Sequence, residues 1–197
     1  MNFDTGRFIL KIAETSEELH AAQRLRYKVF VEEMGANVAD DCHASRMEYD
    51  KFDQDFDHLI LIDSLNRNTA ENVVGVYRLM LNTSVNKNRG FYSSSEYNLD
   101  KLIKADRKIL ELGRSCIDKQ HRGGVALHMM WNGLAQYVID NNVEVLFGVA
   151  SFHGVDINLI NHALSYLHYN HLAPVELRPI AIGENKIDMN ILNKSDV

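Results

Sequence analysis

Apolar and polar residues alternate through FILKIA (8–13), which predicts a strand. Thr15 and Glu18 then stand at capping-box spacing, before Leu19, Ala22, Val29 and Phe30 on one helical face. A helix is expected through about Val31, stopped near Gly35. From Ala36 to Asp57 the chain is polar and acidic, and reads as a loop. HLILID (58–63) and VVGVYRLML (73–81) flank a polar turn and predict an antiparallel hairpin. Residues 82–98, rich in Asn and Ser, read as a loop, with a short helix near 99–105. KILELGRSCI (108–117) is a strand. Residues 122–141 form a helix, with Ala126, Met130, Leu134 and Val138 at a spacing of four. VEVLFGVA (143–150) is a strand, residues 156–169 an amphipathic helix, and VELRPIAI (175–182) a last strand. The order β-α-β-β-β-α-β-α-β predicts an α+β fold, a mixed sheet with helices on its faces. The crossover helix makes strands 108–117 and 143–150 parallel.

Composition narrows the classes. The 197 residues, with no repeat, low-complexity stretch or Gly/Ser linker, predict one domain over 1–197. Two cysteines, Cys42 and Cys116, are no disulfide scaffold and fit a reducing compartment. No signal-peptide pattern and no membrane-length apolar run is found, so a cytoplasmic protein is expected. A net charge of −6 argues against broad nucleic-acid binding. The charge is uneven, however. Lys101, Lys104, Arg107, Lys108, Arg114, Lys119 and Arg122 form a basic strip in sequence, and residues 40–57 an acidic one. Two solvated faces, or a dock for an acidic partner or phosphate, both fit.

Residues 110–126, LELGRSCIDKQHRGGVA, gather the candidate chemistry. A glycine pair at a helix entrance points backbone N–H groups at an anion, so Arg122, Gly123 and Gly124 are candidates for a phosphate. The same pair also fits a turn that merely needs positive φ. Glu111 is the candidate general base, a carboxylate between sheet and helix. Arg114 is its candidate partner, or the partner of a substrate carboxylate. An odd spacing puts the two on opposite faces of a regular strand, unless Gly113 marks a bulge. Arg78, set among apolar residues, needs a partner such as Asp50, Asp53 or Glu111. His162, His168 and His171 lack ligand spacing, so no metal site is expected. Ser151 follows a strand end without a nucleophile elbow.

Strand, QHRGG and helix together resemble the acyl-donor loop of the GNAT acyltransferase superfamily. Its pattern Q/R-x-x-G-x-G/A is met at Gln120 and Gly123 and departs at Val125. Five blocks between about 24 and 156 carry a narrower likeness: RLRYKVFVEEMG, EYDKFDQDFDHLILID, VVGVYRLM, ELGRSCID and FGVASFHGVD. In that order they resemble the ornithine N-acyltransferases of ornithine-lipid synthesis, relatives of the acyl-homoserine lactone synthases and N-acyl amino acid synthases. No residue from 31 to 41 is the tryptophan that lactone synthases place after the phenylalanine. The chain stops at KSDV without the Pro-Pro-Leu-Ile-Lys-Gly-Tyr-like segment of the ornithine enzymes, which leaves the acceptor open.

The resemblance implies a GNAT-like, mostly antiparallel sheet with helices on both faces, and an enzyme. It would move a long-chain, 3-hydroxy acyl group from acyl carrier protein, or acyl-coenzyme A, to the amino group of an amino acid such as ornithine. By position it implies Glu111 and Arg114 as catalytic, and Arg26, Phe30, Asp50, Asp53, Arg78 and Ser151 on the acceptor side. It implies Ile117, Arg122, Gly123 and Gly124 on the donor side, with backbone N–H groups from Ser115 to Ile117 facing the oxyanion. Phe30 would wall the acyl tunnel, or simply pack the core. Acyl carrier protein and an amino acid are the implied partners, with a transient membrane-surface contact for a long-chain product. No permanent cofactor is implied. The competing classes are a coenzyme A-dependent acetyltransferase, a lactone synthase, and a non-catalytic module that binds acyl carrier protein.

Overall fold

In the computed structural model, which describes residues 2–152, 154–184 and 186–197, the first helix begins at the expected capping box. The Glu18 N–H donates to Thr15 Oγ1 at 3.2 Å, and the Glu18 carboxylate accepts from the Thr15 N–H at 3.4 Å. A short strand missed by sequence, β1 (Asn2–Asp4), precedes β2 (Phe8–Ile12) and this helix, α1 (Ser16–Arg26). The chain does not stay α-helical to Val31. Tyr27–Glu33 widens into π-helical turns, which bury both Tyr27 and Val29. The expected loop 36–57 also carries structure: α2 (Asp40–Ser45) and a 3-10 turn at Asp53–Asp55. Then follow β3 (Asp57–Asp63), β4 (Val73–Leu81), a 3-10 turn at Tyr92–Ser95, β5 (Tyr97–Asn98) and α3 (Asp100–Lys104). The chain continues as β6 (Ile109–Ile117), α4 (Val125–Asp140), β7 (Val145–Gly148), α5 (Ile157–Asn170) and β8 (Ile180–Ala181).

Six strands form one sheet in the order β1-β2-β3-β4-β6-β7. Every neighbouring pair is antiparallel except β6–β7, which the α4 crossover makes parallel, as expected. One face packs on α4 through Leu10, Leu59, Leu79, Leu110, Met130 and Leu134. The other packs on α1 and the π-helical turns through Ala22, Leu25, Val29, Ile60, Val76 and Cys116. Gly133 lets α4 lie close, since a Cβ there would stand 2.5 Å from Leu10 Cδ2.

The expected last strand, 175–182, is a correction. Only Ile180–Ala181 is extended, and it pairs with Tyr97–Asn98 in a separate two-stranded ribbon. Pro179 offers no ladder donor, and residues 175–177 turn. β7 is therefore last in the main sheet.

Candidate active site

The odd spacing of Glu111 and Arg114 is resolved by a bulge. Val76 pairs with Cys116 and Arg78 with Gly113, so Arg114 and Ser115 together face Tyr77. Gly113 does not carry the unusual backbone. Arg114 does, at φ 51°, in the left-handed region that non-glycine residues rarely enter. Such a conformation costs on the order of 1–3 kcal/mol and persists only where its surroundings fix it.

Those surroundings are charged. Arg26 Nη1 and Nη2 donate to Asp53 Oδ1 and Oδ2 at 2.9 and 3.2 Å, and Arg26 Nε donates to Glu48 at 2.5 Å. Arg78 Nη1 reaches Asp53 at 2.7 Å and Asp50 at 2.9 Å. Arg114 closes the set, to Glu48 at 3.0 Å and Asp50 at 3.4 Å. Three guanidinium groups thus face three carboxylates. Arg26 and Arg78 are 0% and 1% exposed. The Phe56 and Tyr92 rings lie 4.5 and 5.5 Å from the Arg78 guanidinium carbon, and Arg78 Nε has no partner. Burial alone would raise the Asp53 carboxyl, but Arg26 and Arg78 outweigh it and hold it below the usual range. Of the residues expected on the acceptor side, Arg26, Asp53 and Arg78 are therefore buried beneath the site. Asp50 and Arg114 reach its surface, with side chains 22% and 24% exposed. In the sequence nothing sets Glu48 apart from the other acids of residues 40–57, although it opens the EYDKFDQDFDHL block.

His58 supports the same floor. Its Nε2 lies 3.0 Å from the Asp53 carbonyl, and Nδ1 has no partner, so a second ring proton would find no acceptor. Burial pushes its pKa down from the ordinary value. The unfolded chain then binds the proton first. Stability is full above about pH 6.5 and falls as pH drops below it. Calorimetry at descending pH is expected to show this acid-side loss of Tm, and His58→Gln to flatten it. An unchanged slope in that variant would refute the assignment.

Glu111, expected as a candidate base partly desolvated between sheet and helix, is more deeply buried than that. It is 1% exposed. Its Oε2 accepts from the Tyr92 N–H at 2.9 Å, and its Oε1 from the Ser93 N–H at 2.7 Å and the Ser93 hydroxyl at 2.5 Å.

Beside the network the sheet opens. β6 and β7 pair from Ile109 with Val145 to Leu112 with Gly148, and no further. A Cβ on Gly148 would stand 2.3 Å from the Leu112 carbonyl oxygen, so glycine permits the close contact where the strands part. Beyond it lies a cleft of about 710 Å³. Phe30, Leu112 and Phe147 give it apolar walls, and Glu48, Arg114 and Ser151 a polar side. A second cleft, about 640 Å³, lies behind the loop after β6. Its Lys28, Asp118, His121 and Asp63 bond one another, and it does not include the arginine network.

The loop after β6 has the expected glycines, with φ 86° at Gly123 and 63° at Gly124, where α4 starts. The first N–H groups of a helix have no acceptor within it, so this end can hold an anion. Arg122 is used differently from expectation. Its Nη1 and Nη2 reach Glu33 at 2.5 and 2.6 Å, and its Nε donates to the Ile117 carbonyl at 3.0 Å. The Ile117 side chain packs toward α4. The basic strip is also divided. Lys101 to Lys108 precede β6 and Lys119 and Arg122 follow it, so about 30 Å of strand, at roughly 3.3 Å per residue, separates them. Lys104 and Arg107 pair locally with Asp100 and Glu144. Cys116 is buried with its thiol pushed up to about 12, which makes it a poor nucleophile.

Residues 25–132 match the acetyltransferase (GNAT) domain. The chain is 44% identical over 181 residues to the L-ornithine N(alpha)-acyltransferase of Rhodobacter capsulatus, covering 91% of this chain and 70% of that protein. It is 33% identical over 190 residues to the L-ornithine N(alpha)-acyltransferase of Agrobacterium fabrum, covering 95% of this chain and 65% of that one. Among solved structures, the AHL synthase LasI superposes with a TM-score of 0.51 at 18% identity, over 81% of this chain and 79% of that one. That likeness concerns the fold.

Proposed function

The chain belongs to the GNAT acetyltransferase-domain family, and from that premise we propose that it is an N-acyltransferase that moves a long-chain acyl group from a thioester to the α-amine of ornithine. The observation that carries this reading is the cleft between the parted strands. It joins apolar walls at Phe30, Leu112 and Phe147 to a cation, Arg114, held at its polar side. An acyl chain fits the walls, and an amino acid carboxylate fits the guanidinium. Asp50, partly exposed beside Arg114, is suited to the side-chain ammonium of ornithine. Ser151 is a hydroxyl partner on the cleft wall.

In the reaction the α-amine nitrogen attacks the thioester carbonyl carbon. The C–N bond forms, the C–S bond breaks, and the thiol leaves. The α-ammonium must first give up a proton. Glu111 faces the Tyr92–Ser95 turn, so the carboxylate on the cleft wall is Glu48. Paired with two arginines, Glu48 is placed to orient a water that takes the proton. The phosphate of the donor arm would meet the amides at the start of α4, with Gly123 and Gly124 allowing close approach.

Acyl carrier protein is the donor we favour, with acyl-coenzyme A the simpler alternative. A 3-hydroxyacyl chain and a place in ornithine-lipid synthesis complete the reading, and they rest on the resemblance to the ornithine enzymes. The test is turnover by mass spectrometry, with 3-hydroxyacyl carrier protein, acyl-coenzyme A of several lengths, a pool of amino acids and S-adenosylmethionine. N-acylornithine is the expected product. Acetylated amine from acetyl-coenzyme A alone would make this an ordinary acetyltransferase. A lactone would make it a signal synthase, and carrier protein bound without product a binding module.

A further inference from the structure

The geometry points to Glu111 as a positioning residue: its carboxylate fixes the Tyr92–Ser95 turn, and that turn sets Arg114 and Phe147 on the cleft wall. The inference rests on the acyl transfer proposed above.

The connection between β4 and α3 is long and polar, and nothing in its composition predicts a fixed course. It is nevertheless held, by Arg89 on Asp55, by the β5 pairing with β8, and at the Tyr92–Ser95 turn by Glu111. Tyr92 N–H, Ser93 N–H and the Ser93 hydroxyl all converge on the two oxygens of one buried carboxylate. Three donors on a buried carboxylate make a strong anchor. They also leave it no free approach to a substrate, and Glu111 is absent from the cleft lining.

What the anchor holds is the cleft itself. Phe91 packs edge-on against Phe147, with ring centroids 5.0 Å apart. The Tyr92 ring lies 5.0 Å from the Arg114 guanidinium carbon and 5.5 Å from that of Arg78. Glu111 pairs in register with Phe147 on β7 and with Met80 on β4, so the carboxylate arises between the two strands it serves. The bulge then returns Arg114 to the Glu111 face, under the ring that Glu111 has placed. The Glu-x-x-Arg spacing is thereby explained. The acid fixes a backbone, the backbone presents an aromatic ring, and the ring backs the arginine.

The test uses the full chain with Glu111→Gln, Tyr92→Ala, Tyr92→Phe and the double variant Glu111→Gln/Tyr92→Ala. A glutamine turns its NH₂ toward donors and cannot satisfy all three. Amide exchange at Tyr92 and Ser93 is expected to speed up about 10–100-fold in Glu111→Gln. KM for the amino acid should rise roughly tenfold while kcat changes little. The acid limb of the pH–rate profile should persist. Tyr92→Phe, which keeps the ring, should retain much of the activity that Tyr92→Ala loses. The double variant should be no worse than the poorer single one, because both break the same device. If Glu111 were instead the base, kcat would drop about 10²–10⁴-fold with loss of the acid limb, exchange would stay unchanged, and the two effects would multiply. That result would overturn the proposal. Should Glu111→Gln fail to fold, Ser93→Ala removes one donor of three and is expected to raise exchange at the same two amides. If wild-type protein turns over no thioester with ornithine, the functional reading fails, and amide exchange alone still decides the anchor.

Discussion

Asp53→Asn is expected to cost about 3–5 kcal/mol of folding stability, the usual penalty for removing one partner of a buried ion pair. Both Asp53 oxygens are fully used. Oδ1 accepts from Arg26 and Arg78, and Oδ2 from Arg26 and Gln23. An asparagine would turn an NH₂ toward a guanidinium and leave three cations, two of them buried, facing two anions. Total stabilities of about 5–15 kcal/mol make such a loss large enough to unfold a marginal domain. Denaturant titration measures it. Asp100→Asn, which removes only the exposed pair with Lys104, is the control and should stay within about 0.5 kcal/mol of wild type. Equal effects of the two would mean that the network adds nothing to the fold.

Arg114→Met should lower kcat/KM for the amino acid by about 10²–10³-fold, as expected when a hydrogen-bonded charge partner worth about 3–4 kcal/mol is truncated. Arg114 is the arginine of the network that lines the cleft, so the loss should appear mainly with the acceptor and little with the acyl donor. A second variant separates charge from backbone. Arg114→Gly should lose the same activity yet be more stable than Arg114→Met by about 1 kcal/mol, because glycine accepts φ 51° without strain. If Arg114→Met retains normal use of the amino acid, the acceptor carboxylate lies elsewhere.

Most of the sheet was legible because its strands are apolar runs between clear turns, and the α1 start because a capping box is a local signal. The bulge was half legible. The odd spacing demanded one, but the residue in the left-handed region is an arginine held by distant carboxylates, which no local rule selects. The 175–182 stretch misled because its composition suits a strand while its tertiary partner is only the two-residue β5. The basic strip misled because nearness in sequence is not nearness in space: a nine-residue strand lies between its halves. Glu111 stands out in the sequence as a candidate base between sheet and helix. Its hydrogen-bond partners lie in a turn some 20 residues earlier, and sequence cannot display that.

The arginine–carboxylate set also bears on how the chain acquires its fold. Arg26 and Asp53 are 27 positions apart, Arg78 and Asp53 25, and Arg114 and Glu48 66. Each link closes a sizeable loop before it returns any attraction, and loop closure slows folding more than it weakens the final state. Half of the set would leave unpaired charge in a dry interior. The groups should therefore stay hydrated until α1, β4 and β6 are all docked, then lose their water together. Assembly of the network becomes one of the last events in folding, and a chain interrupted before β6 would lack Arg114 and could not complete it.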